Sequence, residues 1–106
     1  MKLLFAILNR DDANEVVRNL SSNGFYSTKL ATTGGFLLAN NITLMIGVAD
    51  DRVDSVIDII RTYSHSRKQI VPGSALTTAF GNAEPVEVSV GGATIFVVDV
   101  DRFEKV

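Results

Sequence analysis

Twice in this chain an apolar run is followed, within three residues, by a pair of aspartates and then by apolar residues at helical spacing. The first unit is Lys2 to Leu8, then Asp11-Asp12, then Ala13, Val16, Val17 and Leu20. The second is Ile42 to Val48, then Asp50-Asp51, then Val53, Val56, Ile57 and Ile60. A short, near-continuous apolar run reads as a strand covered on at least one face. Carboxylates just ahead of a 3.6-period pattern cap the exposed N–H groups and complement the helix dipole. Asn23-Gly24 ends the first helix. Phe25 to Thr32 is then a second strand, closed by Gly34-Gly35, and Phe36 to Asn41 leads into the third. The order strand-helix-strand therefore occurs twice with a hairpin-like junction, which predicts an α+β, ferredoxin-like (split βαβ) fold. Both helices are expected on one face of an antiparallel sheet, with the other face left for subunit association. Phe5, in the first apolar run, is expected in the core.

From His65 to Pro85 the periodicity disappears. Pro72, Gly73, Ser74, Thr77, Thr78, Gly81 and Asn82 predict a long irregular loop over residues 66–85. Loops longer than ~12–15 residues in compact domains are usually functional or disordered. Val86, Val88 and Val90 alternate with Glu87 and Ser89, Gly91-Gly92 reads as a tight turn, and Thr94 to Val98 returns. This predicts an extra C-terminal β-hairpin. Residues 1–106 form a single domain on this reading, with a short tail from Asp101 that is polar apart from Phe103.

Composition narrows the function. Hydrophobic residues make up 46% of the 106, enough for a packed core. A net charge of −2 argues against a nucleic-acid duplex as partner, since phosphate contacts need a basic face. A small anion can still be held by backbone N–H groups. There is no cysteine and one histidine, His65, so neither thiolate chemistry nor a zinc cluster is expected. His65 follows the second helix with Arg61, Arg67 and Lys68 nearby and reads as a solvated helix end. The aspartate pairs read as caps rather than metal ligands, and Asp99 and Asp101 as a solvated edge. Leu3 to Leu8 is too short for a signal peptide, and no stretch approaches the ~20 apolar residues of a membrane span. The expectation is a soluble cytoplasmic protein with no metal, no cofactor and no nucleophile-base pair, hence no enzyme.

The segment with most chemical content is Thr28 to Thr43, TKLATTGGFLLANNIT. A glycine pair between threonines can bring backbone N–H groups close to a phosphate. Phe36 offers a stacking face, and the Asn41 carboxamide matches an adenine edge. On the residues alone, a hairpin turn with an incidental aromatic is the better reading.

The string Lys29 to Leu37, KLATTGGFL, with Asn41 and Gly47 in register, resembles the cyclic di-AMP receptor branch of the PII-like signal transduction family. Phe25-Tyr26-Ser27-Thr28, Asp51-Arg52-Val53 and Pro85 to Phe96 extend the resemblance over nearly the whole chain. It implies a homotrimer of PII-like subunits that binds cyclic di-AMP in the clefts between them. Thr28, Gly35, Phe36, Leu37, Asn41, Gly47 and Phe96 then occupy ligand-contacting positions. Ligand binding would order loops that present a surface to a downstream protein.

The chain departs from that pattern at Tyr26, where the family usually carries arginine, at Lys105, where it carries glutamine, and at Val106, where it ends in an aromatic residue. Asn40 replaces a glycine, and asparagine tolerates positive φ. Losing one charged hydrogen bond costs ~1.5–3 kcal/mol, roughly ten- to a hundredfold in affinity. Lys105 can compensate if the tail reaches a phosphate, and Tyr26 can stack. Two alternatives follow: a sensor of AMP or ATP, and a trimeric interaction protein with a vestigial nucleotide pocket.

Overall fold

A computed structural model describes residues 1–30, 40–71 and 86–106. The N-terminal apolar run is strand β1 (Lys2–Asn9). Helix α1 (Arg10–Ser22) follows without a loop. Its cap is Asn9, whose Oδ1 accepts from the Asp11 backbone N–H at 2.8 Å. Asp11 and Asp12 therefore lie inside the first turn, where they complement the dipole, and the expected aspartate cap is corrected to Asn9. The helix ends at Asn23, and Gly24 turns the chain with φ +81°. Strand β2 (Ser27–Leu30), strand β3 (Asn41–Val48), a single 3-10 turn (Asp50–Arg52) and helix α2 (Val53–Ser64) complete the two expected units.

The sheet is antiparallel in the order β2-β3-β1-β6, where β6 is Ala93–Asp99. Four antiparallel strands under two helices are compatible with a ferredoxin-like fold. The strand beside β1 is not the one directly after α2. Arg67–Val71 forms strand β4 and pairs with β5 (Val86–Val90) as a separate two-stranded sheet. The expected loop over 66–85 thus begins as a strand, and 72–85 lies outside the described residues. The expected hairpin between Val86–Val90 and Thr94–Val98 is also corrected, because β5 pairs with β4 and β6 with β1. Gly91 and Gly92, at φ +80° and +79°, carry the chain from one sheet into the other.

Both helices cover one face. Leu4, Ala6 and Leu8 from β1 and Leu44, Ile46 and Val48 from β3 point into it, meeting Ala13, Val16, Leu20, Val56 and Ile60. Phe25, also buried, packs at the end of α1 with the Arg52 guanidinium 4.7 Å from its ring centroid. Phe5 is absent from this core. It alternates with Leu4 and Ala6 and so lies, half-buried, on the opposite face, which no helix among the described residues covers. A run that is apolar at every position cannot reveal by itself which face the helices take.

Candidate functional site

Strand register lays the uncovered face out in rows. Thr28, Met45, Phe5 and Phe96 form one row across all four strands. Gly47, Leu3 and Val98 form the next row on one side; Leu30, Thr43, Ile7 and Thr94 form the next on the other. Beyond these, Asn41 is opposite Asn9. Phe96 is 53% exposed and Val98 42%, so the face is apolar and open along β6. Tyr26, 81% exposed, immediately precedes β2.

Of the residues expected to contact ligand, Thr28, Asn41, Gly47 and Phe96 share this face. Among the described residues, two of them, Asn41 and Gly47, line separate clefts. Asn41 and Gly47 are six residues apart on β3, a separation of ~20 Å at ~3.4 Å per residue. Two clefts divide them. One, of about 200 Å³, is lined by Ile7, Leu8, Asn41, Gly91, Gly92, Ala93 and Thr94. The other, of about 350 Å³, is apolar and lined by Met1, Leu3, Met45, Gly47, Val100 and Phe103. Lys105 lies in the exposed tail beyond β6. Gly35, Phe36 and Leu37 lie outside the described residues.

Asn40 takes φ +61°, the left-handed conformation expected where the family pattern has glycine, and its carbonyl accepts from the Arg10 N–H at 3.0 Å. That bond ties the entry of β3 to the first turn of α1. Gly47 is exposed, and a Cβ built there meets nothing within 4 Å. The apolar cleft beside it is one that sequence reading missed: Phe103 comes from the tail and Leu3 from the run taken as core. The ends of the sheet are tied by ion pairs. The Asp99 carboxylate hydrogen-bonds the Lys2 ammonium and holds it above the ordinary lysine range. The N-terminal ammonium, 2.8 Å from Asp50, holds that carboxyl below its usual value. Among the described residues no group of three acidic, histidine or cysteine side chains converges as a metal site.

Comparison with known proteins shows which family the chain belongs to. Residues 1–106 match the sequence model of a family described as cyclic-di-AMP receptor. The chain belongs to the cyclic-di-AMP receptor family. It is also similar to a solved structure titled "The crystal structure of a functionally unknown protein from Pediococcus pentosaceus ATCC 25745". The two are 39% identical with a TM-score of 0.76, over 99% of this chain and 96% of that one. The family is one of receptors and not of enzymes, and membership points to cyclic di-AMP binding by this receptor. No described helix of the receptor is long and apolar enough to cross a membrane.

Proposed function

We propose that this receptor is a nucleotide-sensing signal transduction protein, a homotrimer that binds cyclic di-AMP in the clefts between subunits. Thr28, Gly35, Phe36, Leu37, Asn41, Gly47 and Phe96 are the ligand-binding residues, with Tyr26 and Lys105 in place of the family's usual polar contacts. Binding changes loop conformation, and the loops regulate a partner protein. The observation that carries the reading is the division of these residues along an uncovered apolar face, with Asn41 in one cleft and Gly47 in another. A neighbouring subunit laid on that face would turn open half-sites into an enclosed one and would bury Phe5, Met45 and Phe96. Burial of such surface is favourable by roughly 25 cal/mol per Å².

Calorimetry with cyclic di-AMP on the pure protein tests the reading. Binding with a stoichiometry of one per chain is expected. At free ligand a hundredfold above Kd the native state gains ~2.7 kcal/mol, which a thermal melt resolves easily. No heat and no shift of the melt, with the protein folded, would reject it. One feature favours a second reading, a sensor of AMP or ATP: the exposed Tyr26 brings no charge to a second phosphate. Competition decides, because the preferred nucleotide displaces the others.

A further inference from the structure

The pair β4–β5 has no backbone partner in the main sheet, and a two-stranded ribbon of this kind is marginal by itself. Its placement depends on what its base touches. Arg67, the first residue of β4, directs its guanidinium onto the Asp12 carboxylate, with Nη2 to Oδ1 at 3.1 Å and Nη1 to Oδ2 at 3.3 Å. Nη1 also reaches the His65 carbonyl at 3.4 Å. Asp12 is 8% exposed, a buried carboxylate whose partner comes from 55 residues away. Such a two-point fork fixes orientation as well as distance.

Both partners are joined to walls of the Asn41 cleft. Arg67 lies against Gly91: a Cβ there would be 2.5 Å from Arg67 Nη1 and 2.6 Å from the His65 carbonyl. Gly91 itself lines the cleft, together with Gly92 and Thr94. Asp12 sits two residues after Arg10, whose N–H is bonded to the carbonyl of Asn40. Asn41, the next residue, also lines the cleft. The cleft thus touches both Gly91 and the entry of β3, and the ion pair links Arg67, packed on Gly91, to Asp12, in the helix turn bonded to Asn40.

We propose that the Asp12–Arg67 ion pair is a latch that couples occupancy of the Asn41 cleft to the orientation of the β4–β5 ribbon. The proposal rests on the reading of Asn41 as a ligand residue. There is no room for a side chain at Gly91 toward Arg67, so a ligand that pushes the Gly91-Gly92 backbone in that direction displaces the guanidinium relative to Asp12. Coupling of this kind is reciprocal: if occupancy biases the ribbon, the ribbon's orientation biases ligand affinity, and breaking the latch uncouples the two. Arg67 and Asp12 do not line the cleft and act in this proposal as positioning residues.

Amide hydrogen exchange on wild type, Arg67→Gln and Arg67→Lys, each with and without cyclic di-AMP, tests it, with calorimetry on the same samples. Without ligand, both variants should exchange the amides of 67–71 and 86–90 at least fivefold faster than wild type. The amides of β1 and β3 should be unchanged, which shows that the fold is intact. Saturating cyclic di-AMP should change ribbon exchange in wild type at least threefold and leave it unchanged in variants that still bind. Equal ribbon exchange in wild type and variants without ligand overturns the latch. So does a ligand response in the variants equal to that of wild type, or a ligand-saturated wild type whose ribbon does not respond. Absence of cyclic di-AMP binding by wild type overturns the functional reading instead, and the ligand-free comparison still decides whether Arg67 anchors the ribbon.

Discussion

Gly47 separates a ligand effect from a folding effect better than other residues of the face. Its φ lies outside the left-handed region, and a methyl group at that position meets no atom within 4 Å. Gly47→Ala should therefore leave the melting temperature unchanged or slightly raised, since removing glycine's freedom in the unfolded chain is worth ~0.4–1 kcal/mol at a compatible site. If cyclic di-AMP approaches β3 here, the same methyl group should cost at least tenfold in Kd by calorimetry. An unchanged Kd would remove Gly47 from the site. Asn41→Ala should weaken binding by a similar factor through loss of a carboxamide contact, with little change in the melt, because Asn41 begins a strand and only half of it is buried.

At the scale of elements, α1 depends on a cap that is also the last residue of β1. Asn9→Ala leaves the Asp11 N–H without its acceptor, and loss of an N-cap costs ~0.5–2 kcal/mol. For a domain of this size that is a drop of roughly 4–8 °C per kcal/mol in a thermal melt. The closure of β1 on β6 carries the Lys2–Asp99 pair at its end. The pair raises the lysine pKa above its ordinary 10.5, so its contribution is present throughout the neutral range. On the alkaline side it is lost as pH climbs through the raised value. Because the pair is exposed, Lys2→Met should shift the melt only slightly at pH 6 and equally at pH 9.

At the scale of the whole molecule, the two faces of the sheet behave differently. The helix face is closed by Leu4, Leu8, Leu44, Ile46, Val56 and Ile60, all essentially inaccessible. The other face is held open by Phe5, Met45 and Phe96. A glutamate on the open face leaves the helix-packed core untouched but cannot be buried against a second subunit without a large desolvation cost. Phe5→Glu should keep its helical circular dichroism and run as a single chain by light scattering, whereas the proposed trimer should give wild type three times the 11.4 kDa chain mass. Cyclic di-AMP binding should disappear with the assembly. A wild-type mass of one chain at tens of micromolar would remove the intersubunit cleft from the functional reading.

The local code of this chain was enough for β1, α1, β3 and α2. Apolar period, acidic first turns and the Asn23-Gly24 stop are all short-range signals, acting within a few residues. The left-handed Asn40 was legible for the same reason, since asparagine tolerates that conformation. Pairing is another matter. A strand's period of two says which residues share a face, not which strand lies alongside. The alternation of Val86 to Val90 therefore could not reveal that β5 joins Arg67–Val71 while β6 closes on β1. Nor could an unbroken apolar run say that Leu4 faces the helices while Phe5 faces away. The tertiary structure decided those points because the edge of β1, the packing of α1 and α2, and the Asp12–Arg67 pair join residues that are distant in sequence and adjacent only once the chain is folded.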